Sequence, residues 1–350
     1  MIQGETMKDT IQKTIEFATR LLAIPSPSGF AQDAVAFFER EAAALGYASI
    51  RTKKGNLIVS VPGKTNRKLG LSGHVDTLGA MVRSVKANGD LKFTPIGGPI
   101  WPTLDGEYCQ IRTRDGRIYT GTFLSESPSS HVYKDANTAE RTPERMAIRI
   151  DEVTTSKQTT EALGIRPGDF VFIDPKTVVT PSGFIKSRFL DDKISVAILY
   201  GFLLHLKRQN LTPTPSIQII VSTYEEVGHG ASAIPELDEF IAVDMGCIGE
   251  DLSCTERMVS ICAKDSSGPY DETVTTGLVR AAEREGLPFA VDIYPMYGSD
   301  VSAALRGGND FRGGLIGPGV HASHGMERTH VEAVEATLRL LLSYVSQQSS

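Results

Sequence analysis

Cysteine is scarce in this 350-residue chain: Cys109, Cys247, Cys254 and Cys262 are the only four, and no two form a C-x-x-C pair. That excludes a thiolate zinc site and a dense disulfide framework, and the four read as reduced, buried thiols of a cytoplasmic protein. Basic clusters are missing as well. Lys and Arg number 36 against 42 Asp and Glu, for a net charge of -6, which argues against a nucleic-acid groove. Apolar runs are short and broken by charge, so no segment reads as a bilayer span. Residues 1–10 lack the basic and apolar blocks of a signal peptide, and there are no internal repeats. What is present is a 41% hydrophobic composition, in a chain long enough for one large or two ordinary domains.

Apolar positions at helical spacing predict helices over 8–24 (Ile11, Ile15, Phe17, Ala18, Leu21, Leu22) and 31–46, the second stopped at Gly46. Residues 56–61, closed by Pro62-Gly63, and 68–73 predict strands. From about 78 to 180 the texture changes to short β-like runs, such as 118–123, 146–150 and 169–173. Turn dipeptides such as Asn88-Gly89 and Asp115-Gly116 separate them. This predicts a small all-β module, with a helix only around 156–164. Alternation of α and β returns at 189: helices over 194–207, 271–285 and 331–345, strands over 216–223, 240–243 and 289–294. The expectation is an α/β domain made of 1–77 and 181–350, interrupted by a β domain over 78–180. Within the insert, Gly97-Gly-Pro-Ile-Trp101 reads as an exposed aromatic loop suited to an interface, and His131 as structural or substrate-facing.

Clusters of His, Asp and Glu fall at the ends of predicted elements: Gly73-His74-Val75-Asp76, Asp191-Asp192-Lys193, Glu225-Glu226-Val227-Gly228, Val243-Asp244-Met245-Gly246, and a late group of His321, His324 and His330. Each alone has an ordinary reading. An Asp pair caps a helix, a Glu pair decorates a solvated turn, and a histidine after a strand is most often a satisfied core or surface residue. Together they say more. Ligands gather outside the carboxyl ends of strands in an open α/β sheet, so three clusters converge on one edge and Asp191 reaches it from a helix start. Asp, Glu and His without Cys suit Zn²⁺, Co²⁺ or Mn²⁺.

The order GHVD, DDK, EEVG, VDMG and a late His resembles the family-42 metallopeptidases, dimetal aminopeptidases that assemble into tetrahedral dodecamers. The late segment 322–330 resembles the subgroup associated with the osmoprotectant N-acetylglutaminylglutamine amide. The resemblance implies a zinc-aminopeptidase-like αβα sandwich with a mixed central sheet, interrupted by a β-barrel-like domain for oligomerisation and access. It implies two divalent ions per subunit: His74, Asp191 and Asp244 would hold one, and Asp191, Glu226 and His324 the other. Glu225 would be the general base, and Asp76 would hydrogen-bond the His74 imidazole. Gly298-Ser-Asp300 is similar to a Gly-Thr-Asp step of the family, and an N-cap reading of it stands beside a substrate contact. The chain departs from the family in having Lys193 where Arg is usual, taken as a second-sphere or surface change. It also departs from the usual His-Ser-x-x-Glu near His324, so His321, His330 and His229 remain alternatives. Small peptides are the implied substrates, with a homo-oligomer as the assembly.

Other readings stay open. A dipeptidase or deacylase acting on a capped dipeptide would share the metals. A glycosidase needs two carboxylates across one bond, and adjacent Glu225 and Glu226 suit that poorly. A catalytically silent assembly protein is the non-enzymatic alternative.

Overall fold

The computed structural model describes residues 2–346. Among them a ten-stranded mixed sheet forms the frame. Its middle is four mutually parallel strands, in spatial order Ser216–Ser222, Lys68–His74, Glu239–Val243 and Arg312–Val320. Antiparallel neighbours close the sides: Leu57–Val61 and Ala48–Arg51 on one, Val259–Asp265 on the other. The parallel strands are buried along almost their whole length, as expected where both faces are covered by helices.

Helices Ile2–Leu22, Leu190–Gln209, Val331–Val345 and Glu272–Arg284 pack in succession over one face, and Gln32–Ala44 lies beside them. Helix Leu190–Gln209 is buried on nearly every side, which is why its sequence is apolar all round rather than striped. It packs against both the strand Lys68–His74 and the helix Ile2–Leu22. A Cβ at Gly201 would stand 2.2 Å from Thr14 Oγ1, so glycine permits that helix crossing. Asp300–Arg306 covers the other face over a smaller apolar cluster including Phe240, Tyr294, Val301 and Leu315. The result is the αβα sandwich expected.

Between the sheet strand Lys68–His74 and the helix Leu190–Gln209 the chain builds a closed barrel. Its strands, in spatial order, are Gly79–Val85, Leu91–Ile96, Met146–Ile150, Ile118–Ser125, Tyr108–Arg112 and Phe170–Ile173. Buried Val82, Phe93, Ile111, Phe123, Ile148 and Val171 fill it, with Phe93 and Phe123 edge to face at 5.0 Å. Closure removes the exposed edges an open antiparallel sheet of this size would present. The aromatic loop differs from expectation. Trp101 is half-buried and turns in onto Phe93, and the loop packs against the sandwich through Ile100 N–H to the His324 carbonyl, 3.0 Å.

Arg312–Val320 is a central strand that periodicity does not reveal. It carries Gly313, Gly314, Gly317, Pro318 and Gly319, a composition that normally marks turns. Glycine is required by close backbone approach: a Cβ at Gly317 would lie 1.8 Å from the Asp244 carbonyl oxygen, and one at Gly319 2.1 Å from that of Thr255.

Candidate metal centre

The carboxyl ends of the four parallel strands point to one edge, and the acidic and histidine clusters meet there. His74 ends its strand. Glu225 and Glu226 form a single 3-10 turn just after Ser216–Ser222, Asp244 follows Glu239–Val243, and His324 lies in the loop after Arg312–Val320. The order is set by hydrophobic pairing: the parallel strands bring their last residues level, and the polar residues that follow have only the rim to occupy.

Asp191 arrives from the remaining direction. It belongs not to the regular helix but to an extended step at its entrance (φ -73°, ψ 102°), after Phe189 in a left-handed conformation and before a cis peptide to Asp192. Its two carboxylate oxygens face different histidines. Oδ1 is 3.2 Å from His74 Nε2, and Oδ2 is 3.5 Å from His324 Nε2. Glu226 Oε2 is also 3.5 Å from His324 Nε2, and Glu225 Oε2 is 3.7 Å from His74 Nε2. Ligand atoms of His74, Asp191 and Glu226, and likewise of His74, Glu225 and Asp244, lie within 4.8 Å of one another.

Hydrogen bonds to the outer atoms fix these groups. His74 Nδ1 donates to the main-chain carbonyl of Asp76 at 2.9 Å, whereas the nearer carboxylate oxygen of Asp76 is 3.6 Å away. The carboxylate instead accepts from Ser28 Oγ and from the N–H groups of Glu225 (3.1 Å) and Glu226 (3.3 Å). Asp76 thus orients the ring through its backbone and the Glu225-Glu226 turn through its side chain. Asp192 Oδ2 accepts the His74 N–H at 3.2 Å. Asp300 begins its helix behind an N-capping Ser299, and its carboxylate accepts from Ser222 Oγ (2.7 Å) and Ala231 N–H (2.8 Å), so it ties strand to loop. Lys193 is fully buried rather than at the surface, and its ammonium donates to the Ile24 carbonyl at 2.6 Å. Burial pushes its pKa down to about 7.

The electrostatics are those of clustered buried acids. Four carboxylates share two imidazoles. Burial, reinforced by the charges of neighbouring carboxylates, holds Glu225 and Glu226 well above the usual range and pushes Asp244 up to about 7. Burial alone would lower the His74 pKa, but Asp191, Glu225 and Asp244 outweigh it and raise the ring well above its ordinary value. For Asp191, burial is outweighed by the hydrogen bond and charge of His74, which bring it below. Glu226 Oε1 is buried with no hydrogen-bonding partner. Buried like charges are tolerated when protons or cations neutralise them, and oxygen and imidazole donors at this spacing fit divalent cations.

Of the other candidates, His321 and His229 are exposed, the latter stacked on Tyr224. His330 caps the helix Val331–Val345, with its ring on the Ser182 carbonyl, and His131 is exposed on the insert. Glu327 carries no role in the sequence reading, yet it is buried and accepts the N–H groups of both Asp191 (2.9 Å) and His324 (3.0 Å). The signal for it was an acidic residue three positions beyond the candidate histidine. Above the cluster opens a cleft of about 660 Å³, lined among others by Ile100, Asp191, Glu225, Asp244, Met296 and Tyr297, a size that suits a small ligand.

A family model described as M42 glutamyl aminopeptidase matches residues 55–340. YhfE of Bacillus subtilis (strain 168) is 45% identical over 339 residues, covering 96% of this chain and 98% of that protein. The TET aminopeptidase of the marine sediment archaeon Thaumarchaeota archaeon SCGC AB-539-E09 superposes with a TM-score of 0.86 at 19% identity, over 96% of this chain and 97% of its own. The TET1 peptidase of Pyrococcus horikoshii, described as assembling into a tetrahedron or a large octahedral shell, gives 0.83 at 21% identity, over 96% and 100%.

Proposed function

Since the chain belongs to the M42 glutamyl aminopeptidase family and is a metal-dependent aminopeptidase, we propose that it trims small peptides at a two-cation centre with Glu225 as general base. His74, Asp191 and Asp244 would hold one cation, and Asp191, Glu226 and His324 the other. The observation that carries this is the divided orientation of Asp191, whose oxygens face His74 and His324 separately, as a shared carboxylate must. Zn²⁺, with Co²⁺ or Mn²⁺ as alternatives, would supply Lewis acidity toward the scissile carbonyl and make bound water acidic.

The chain's own groups do the rest. Glu225 lines the cleft, held by its N–H on Asp76. Its carboxylate takes a proton from the attacking water as the water oxygen bonds to the carbonyl carbon. It delivers that proton to the nitrogen as the C–N bond breaks. The imidazoles of His74 and His324 keep their Nε2 lone pairs on the cluster, because Nδ1 of each donates to a carbonyl. The insert, 78–180, walls the cleft at Gly98 and Ile100 and limits it to short substrates. The free cysteines favour a reducing, cytoplasmic setting.

Glu225→Gln should keep both cations and lose about 10²–10⁴-fold in turnover, while Asp191→Ala should lose metal, read by elemental analysis beside peptide-hydrolysis rates. A Glu225→Gln enzyme near the wild-type rate would remove Glu225 from the role of base. The substrate panel should contain free peptides, acylated peptides and dipeptide amides. Turnover confined to acylated substrates would favour a deacylase over an aminopeptidase.

A further inference from the structure

We propose that the barrel completes the metal centre, with Arg188 and the barrel segment from Gly98 to Thr103 acting as a positioning device that holds His324 on the second cation. This rests on the two-cation reading above.

His324 needs holding. Its side chain is 37% exposed, against 8% for Asp191, 4% for Glu226 and 2% for His74. Its backbone is left-handed at φ +63°, a region non-glycine residues occupy only when their surroundings impose it. Part of that imposition comes from its own loop, through Glu327. The rest comes from the barrel. The His324 carbonyl accepts Ile100 N–H at 3.0 Å. Its Nδ1 is 2.9 Å from the Gly98 carbonyl. A carbonyl only accepts, so Nδ1 carries the proton and the Nε2 lone pair faces Asp191 and Glu226.

Arg188 locks this contact. It is 3% exposed. Its Nη2 donates to the Thr103 carbonyl at 2.7 Å, and its Nη1 to Thr103 Oγ1 at 3.2 Å and to the Gly325 carbonyl at 3.3 Å. One guanidinium therefore ties the barrel to the residue beside His324. It does so three residues before Asp191, whose own N–H meets the same Glu327 that holds His324. Among the described residues no barrel atom plays this part for the other cation: His74 is held by Asp76 and Asp192, and Asp244 accepts its neighbour's N–H from Met245. Loosening the clamp should act on one site of the two. Glu107 Oε2, 3.2 Å from Arg188 Nη2, offers the competing account, a buried ion pair that serves the fold alone. Glu107→Gln breaks that pair, together with the ion pair of Glu107 with Lys176, while leaving the bonds of Arg188 to Thr103 and Gly325.

The experiment is Co²⁺ titration of metal-stripped full-length wild type, Arg188→Met and Glu107→Gln, followed by calorimetry and by metal content after dialysis. Wild type should hold two ions per chain. Arg188→Met should keep one at wild-type affinity and bind the other roughly 10–100-fold more weakly, and Glu107→Gln should keep both. Wild type without tight ions would defeat the two-cation reading itself. If wild type holds two and Arg188→Met binds both unchanged or loses both in parallel, the clamp is wrong. The clamp is equally wrong if Glu107→Gln loses the second ion as Arg188→Met does. Should Arg188→Met fail to fold, Arg188→Lys, which keeps the charge but cannot reach Thr103 and Gly325 together, is judged by the same outcomes.

Discussion

At the residue scale the candidate centre is a crowd of buried acids, and its behaviour with pH follows. Asp244, ordinarily near 3.8, is pushed up to about 7 by burial and by the Asp191 charge. Between those values the folded metal-free protein binds a proton that the unfolded chain has released. Its stability therefore falls as pH rises through that window. Glu225 and Glu226, also raised, and His74, held well above its ordinary value, act in the same direction, while the lowered Asp191 opposes them. Cations reverse the trend, because only deprotonated ligands bind them. Thermal melting with and without chelator, between about pH 5 and pH 8, should give a melting temperature that falls with pH in the stripped protein and rises in the loaded one. Parallel curves would mean the cluster does not bind cations.

At the element scale the decisive feature is the glycine-rich strand Arg312–Val320, which lets the Asp244 segment lie against it. Asp244 N–H bonds to the Ile316 carbonyl at 2.9 Å, and a methyl group on Gly317 would collide with the Asp244 carbonyl. Gly317→Ala should destabilise the fold by about 1–3 kcal/mol through overpacking and weaken cation binding on the His74 side, read by urea denaturation and metal content. Unchanged values in both would show that the strand can shift without moving Asp244. The helix Leu190–Gln209 teaches a related point. Its apolar run predicts a helix from Ile194, but Asp191 and Asp192 before it leave the helical conformation, and Asp191 is held there by contacts with Glu327 and His74. Periodicity sees the helix and not the bent entrance that places the Asp191 carboxylate.

At the scale of the whole molecule, sandwich and barrel form one working unit joined at His324 and Arg188. Exposed apolar side chains remain on its surface, among them Ile50, Val178, Val179, Leu211 and Ile293, which is ordinary for a folded chain when they are scattered singly. The TET1 peptidase of Pyrococcus horikoshii, which shares this fold, is described as assembling into a tetrahedron or a large octahedral shell. Light scattering on the purified protein, read against the 37.9 kDa of one chain, measures whether this chain assembles with copies of itself.

The sequence by itself determined the layered α/β frame, the presence of a β module within it and the acidic and histidine clusters that meet at one edge of the sheet. Those features are written in local pattern: helical and alternating apolar spacing, turn dipeptides, and polar clusters where the spacing stops. It could not reveal the central glycine strand, whose composition reflects neighbours distant in the chain. Nor could it decide among His321, His324 and His330, which stand close together in sequence and carry the same chemistry. Only the tertiary structure separated them. It turned one toward Asp191 and Glu226, left one at the surface and used the third as a helix cap. The physical reason is the same in each case. Local pattern records what a residue needs from its own segment, whereas the aim of a ligand is set by hydrogen bonds such as those of Gly98, Arg188 and Glu327, which come from far along the chain or across the loop and exist only after folding.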